Sequence, residues 1–240
     1  KNLAAEIFIF LWQNTGQELH TALIPFLSLC GKELFTMSNF IYVLYPLSCI
    51  FIPCMLYMLI QIFGFRRQTT GSHVLWACIF LFYIYLVLEA TGIGTIWEIG
   101  QYPGMSFREE INLIPFRDGI SLSMILNIVM FMPLGFLLPL LWKAYKSPAK
   151  TALTGLCFSA GIEICQLCNR RASDIDDLLM NTLGAVIGWG IWNGFSHIFR
   201  LKYGQRNRGF GSLEASAYLF LSVAGQFFLF NWRWMIQIAA

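Results

Sequence analysis

Long apolar runs separated by short charged loops set the pattern of this 240-residue chain. Six runs approach the length of about 20 residues that a helix needs to cross a bilayer core. They are about Asn39–Phe63, Val74–Trp97, Ser121–Trp142, Thr151–Cys168, Leu178–Phe199 and Ser212–Trp232. Pro46 and Pro53 fall inside the first run, where membrane helices accommodate proline as a kink. Residues 1–37 read differently. Ile7–Trp12 is too short to span, and Leu19–Cys30 is broken by Pro25. This stretch predicts one or two interfacial or re-entrant helices, with an additional span as the alternative. Trp76, Trp97, Trp142, Trp192, Trp232 and Trp234 mark run ends, as an interfacial aromatic belt does. The expected fold is therefore an all-α polytopic membrane bundle of about six transmembrane helices over residues 38–240, preceded by the interfacial or re-entrant segment.

Composition agrees. Apolar residues make up 57% of the chain and charged residues 12%. A soluble domain averages about 45–50% and about 25%. Disorder, collagen, coiled coil and a disulfide scaffold are excluded with it. The seven cysteines are odd in number and lie mostly in apolar runs, so Cys165 and Cys168 read as small packing residues rather than a redox pair. A net charge of +3 gives no reason to expect nucleic acid as a partner.

Where the charges sit says more. Arg66 and Arg67, then Lys143, Lys146 and Lys150, then Arg200, Lys202, Arg206 and Arg208 occupy alternate loops that carry no acid. The positive-inside rule puts those loops in the cytoplasm. The opposite loops hold Glu98, Arg108, Glu109, Glu110, Arg117, Asp118, Arg170, Arg171, Asp174, Asp176 and Asp177.

Ionisable groups within apolar helices are costly and mark candidate sites. Glu163 lies in the fourth run and Glu89 in the second. Ser159, Glu163 and Gln166 share one helical face, and Asp177, Asn181, Gly184 and Gly188 share another. Gly184 and Gly188 form a small-x-x-x-small contact that lets a helix approach closely. Asn127 enters the third run from the same side, ahead of a kink at Pro133. Asn112, Pro115, Phe116 and Arg117 occupy the adjoining loop. These residues predict a polar pocket opening to the extracytoplasmic side. A purely structural reading stands beside it. Asn127 and Asn181 would then join helices, Glu163 would pair with Arg170 or Arg171, and Asp174 would cap a helix. His73 and His197 sit at cytoplasmic run ends and make poor metal ligands.

The chain resembles the VanZ-like family at several of these residues. The matching pieces are Asn112-Leu113-Ile114-Pro115-Phe116; Asn127-Ile128 with Phe131, Pro133, Leu134 and Gly135; Glu163 with Gln166; and Arg171 through Asp177, leading to Asn181, Thr182, Gly184 and Gly188. They cover about residues 75–195. The resemblance implies a bacterial cytoplasmic-membrane protein that lowers susceptibility to teicoplanin and related lipoglycopeptides.

Three functions follow as expectations. In the first, the pocket binds, or modifies, a lipid-linked cell-wall intermediate or the lipoglycopeptide itself among membrane lipids. Asn112, Arg117, Asn127, Gln166, Arg170, Arg171, Asp174, Asp176 and Asn181 would contact the ligand. Arginines suit phosphate or carboxylate, and Glu163 and Asp177 are the candidate catalytic carboxylates. Asp174, Asp176 and Asp177 are candidate oxygen ligands for a divalent cation, Mg2+ or Ca2+. In the second, the protein is a non-enzymatic scaffold for cell-envelope proteins. In the third, it transports a lipid anion.

Overall fold

The computed structural model describes residues 37–99, 111–112, 114–117, 119, 121–167, 173–198, 210–211, 213–231 and 233–234. The expected interfacial segment therefore lies outside the described residues, save for Met37. The described residues form six α-helices: α1 Met37–Leu59, α2 Gly71–Thr91, α3 Leu122–Leu141, α4 Pro148–Gln166, α5 Ile175–Ile198 and α6 Glu214–Leu229. Among the described residues, three segments are long and apolar enough to cross a membrane: Tyr42–Gly64, Gly71–Glu98 and Leu122–Leu141.

Local chemistry fixes the helix ends. Thr70 caps α2 by accepting from the His73 N–H, and Gly92 closes it in the left-handed region at φ 58°. The apolar run continues past this point, but the helix does not. Thr95 and Glu98 start a short 3-10 turn with a capping box instead. Ser121 caps α3. Pro148 opens α4 at the first position, where its missing N–H costs nothing.

The centre of the molecule is the pair α3–α5. Asn127 bonds Asp177, and Phe136 packs against Phe195. The contacts advance together along both helices, so the pair is parallel. Gly184 lies against the Ile128 carbonyl, Gly188 against the Met132 carbonyl and Gly135 against the Ala185 carbonyl. A Cβ at any of the three would collide with backbone, so these glycines set the closeness of the seam. Helix α4 returns antiparallel between them, Gly155 facing Ala185. The expected Gly184–Gly188 contact thus has α3 as its partner.

Helices α1 and α6 form a second, antiparallel pair. The Tyr45 hydroxyl donates to the Leu229 carbonyl at 2.9 Å, Gly225 abuts the Cys49 carbonyl, and Cys54 meets Ser222. Helix α2 bridges the two groups, with the Tyr83 hydroxyl donating to the Met130 carbonyl at 2.8 Å. One departure from an all-helical expectation is small. Strand β1 Ile111–Asn112 pairs in parallel with strand β2 Ser173–Asp174, residue 111 opposite 173 and 112 opposite 174. The strands lead towards α3 and α5, which start at the same end, so their entries run side by side.

Candidate functional site

The polar residues singled out by sequence collect at the end where α3 and α5 begin and α4 ends. Asp174 precedes α5 and accepts from the Asp176 N–H at 3.0 Å, as an N-cap does. It also takes the Asn112 side-chain amide at 3.3 Å. The Asn112 side-chain oxygen in turn accepts from the Ile114 N–H at 3.2 Å. Asp176 is buried, and both its oxygens accept from the Phe116 N–H at 3.0 Å. Phe116 adopts a left-handed φ of 56°, which is strained for a residue with a side chain. Asp176 thus fastens a strained turn to the start of α5. Arg117 is exposed beside it.

Deeper in, the Asn127 amide donates to Asp177. The Asn181 amide donates to the Ser159 hydroxyl at 2.9 Å, and the Gln166 amide donates to the Thr91 carbonyl at 2.8 Å. Gly155 opposite Ala185 and Ser159 opposite Asn181 fix the antiparallel register of α4 on α5. Continuing that register outward by one turn brings Glu163 level with Asp177. Glu163 and Gln166 are both buried, and the side-chain oxygen of Asn181 is buried without a hydrogen-bond partner. Glu89 lies two residues before Thr91, at the same end of the bundle.

The structure therefore joins Asn112 to Asp174, Asn127 to Asp177 and Asn181 to Ser159. The structural readings of Asn127, Asn181 and Asp174 are realised as interhelical bonds and a cap. Arg170 and Arg171 lie outside the described residues. The cation expectation finds no preformed ligand set. Among the described residues, no three His, Cys, Asp or Glu side chains gather as a ligand set. Asp174, Asp176 and Asp177 instead serve three different partners, Asn112, Phe116 and Asn127. Neighbouring positions at a helix start project in different directions, so three aspartates close in sequence need not converge.

A family model for VanZ/LLP1 matches residues 74–200, more than half of the chain. The chain belongs to the VanZ/LLP1 family. No curated protein and no solved structure matches it. In this VanZ/LLP1 protein, α3, α4 and α5 lie inside the matched segment together with every site residue just described. Helices α1 and α6 lie outside it. The apolar helices and the family together make it a membrane protein.

Sequence reasoning missed two features. The Asp176–Phe116 bond uses a backbone donor, which no residue pattern displays. The other is Glu214, at the opposite end of the bundle. Its carboxylate meets His73 Nε2 at 2.8 Å, the Trp142 indole N–H at 2.9 Å and the Phe210 N–H at 2.7 Å. The only sequence signal was an acid just inside the last apolar run.

Proposed function

We propose that this protein is a six-span protein of the bacterial cytoplasmic membrane whose α3–α4–α5 unit binds an amphipathic envelope molecule from the extracytoplasmic side. The ligand class is a lipid-linked cell-wall intermediate or a lipoglycopeptide such as teicoplanin, and binding lowers susceptibility to the latter. One observation carries the reading. The register of α4 on α5 sets Glu163 and Asp177 at one level, one turn outside the Asn181–Ser159 bond. Asp177 stands in the first turn of α5 and Glu163 in the last turn of α4, so each costs less than the roughly 2.5–3.5 kcal/mol of a carboxylate at the centre of a membrane helix, but two at one level repel and favour a ligand that offers donors or positive charge. The basic loops support the orientation. Asn112, Asp174 and Asp176 shape the rim, and Glu163, Gln166, Asp177 and Asn181 offer polar groups within it.

A second reading, a non-enzymatic scaffold, is favoured by the number of polar groups already committed to holding the turn at Phe116. Binding of lipid-linked cell-wall precursors and of teicoplanin to the purified protein in nanodiscs separates the two. The site reading expects saturable binding that is lost in Glu163→Gln while the melting temperature holds. Failure of the wild type to bind any of these probes would sink it and leave the scaffold.

A further inference from the structure

Glu214 occupies the first turn of α6 and is buried to 1% exposure, and His73, which faces it, is fully buried. A buried carboxylate is tolerable only when its lone pairs are satisfied. Here one oxygen meets the His73 ring nitrogen, and the other accepts both the Trp142 indole N–H and the Phe210 N–H. The start of a helix adds a favourable dipole. Arg67 extends the arrangement by donating to the Phe210 carbonyl. Aromatic rings wall the site: His73 stands edge-on to Trp142 and to Phe210, and Phe80 and Tyr218 also flank Trp142.

The donors come from separate places in the chain. His73 sits in the first turn of α2, Trp142 ends α3, and Phe210 precedes α6. Trp142 lies within the family segment, whereas Arg67, His73, Phe210 and Glu214 lie outside it. Tyr145, also inside, reaches the Ser216 hydroxyl of α6 at 3.1 Å. Helix α6 is in turn gripped by α1 along its length through Gly225, Ser222 and Leu229. The carboxylate therefore stands where the α1–α6 pair meets the family core.

We propose that Glu214 is the bolt of a latch that fastens the α1–α6 pair onto the family core and closes the end of the bundle opposite the candidate site. Opening the latch parts α6 from Trp142 while α1 and α6 stay together. The bolt works by charge. A carboxamide can keep its oxygen for Trp142 and Phe210, but its N–H then faces His73 Nε2, which must switch tautomer to accept it, and the charge that strengthens all three bonds is lost.

The test is thiol labelling of the full chain in nanodiscs, read peptide by peptide by mass spectrometry. Ala215 is fully buried beside the bolt, so Ala215→Cys reports opening, whereas native Cys54, buried between α1 and α6, reports whether that pair separates. Adding Glu214→Gln to Ala215→Cys is expected to speed labelling of the introduced thiol about tenfold, as local opening does, with Cys54 still protected. Trp142→Phe and His73→Phe each remove one donor but keep a ring, so each should give a smaller increase. Combined with Glu214→Gln, neither should add anything. Should Glu214→Gln not fold, the two ring-retaining variants carry the test in the Ala215→Cys background. An unchanged labelling rate in the folded variants, additive effects, or simultaneous exposure of Cys54 would overturn the latch.

Discussion

The two ends of the bundle use the same residue types to opposite effect. At the site end, carboxylates are distributed, each holding a different segment. Asp174 takes Asn112, Asp176 takes Phe116 and Asp177 takes Asn127. Phe116 and Arg117 are exposed, and a buried Asn181 oxygen has no partner. At the other end a single carboxylate gathers N–H groups from α2, α3 and the approach to α6, inside an aromatic shell. Distributed bonds tie several segments to one helix end. Concentrated bonds build a closure. Burial alone does not separate the two ends, because Asp176 and Glu214 are both buried.

Breaking the closure should cost most. Glu214→Gln is predicted to destabilise the folded protein by about 1.5–3 kcal/mol, the range for hydrogen bonds to a charged group. A fall in the detergent melting temperature larger than that of any rim variant is the expected reading. An equal fall in Asp176→Asn would erase the contrast between the two ends. Next comes the seam between them. Gly188→Ala drives a methyl group into the Met132 carbonyl and should cost about 1–3 kcal/mol, whereas exposed Gly190→Ala should be neutral or slightly stabilising. Comparing their melting temperatures checks this.

At the rim, Asp176→Asn keeps one carbonyl acceptor for Phe116 and should cost about 1–2 kcal/mol. Its signature is faster proteolysis near residue 116 with the helices intact. The smallest effect has the opposite sign. Phe116→Gly relieves the left-handed strain at φ 56° and should stabilise the protein by up to about 1 kcal/mol. A lowered melting temperature would mean that the Phe116 ring contributes more than its backbone strain takes away.

Much of this was legible in the sequence. The run Ser121–Trp142 became α3 Leu122–Leu141 with a serine cap, and Leu178–Phe199 became α5 Ile175–Ile198. The shared faces of Ser159 with Glu163 and of Asp177 with Asn181 were readable from helical spacing, and the Asn181–Ser159 bond joins those faces. The second run, Val74–Trp97, falls within the candidate span Gly71–Glu98, although Gly92 closes the α-helix inside it. The three aspartates are near in sequence but bond three different partners, which their spacing alone did not display. Glu214 was passed over because its partners, His73 and Trp142, lie 141 and 72 residues away, and no local pattern joins them.

The parallel seam also imposes an order on biosynthesis. Helices α3 and α4 are joined only by the short turn Lys143–Lys146 and can form early as a hairpin. Helix α5 must then settle beside α3 with the same polarity, once α4 has reversed the direction of the chain. Until Gly184 and Gly188 leave the ribosome, the Ile128 and Met132 carbonyls of α3 have no glycine to receive them. A nascent chain stopped before residue 184 would therefore carry every polar residue of the rim and still lack the seam that aligns them.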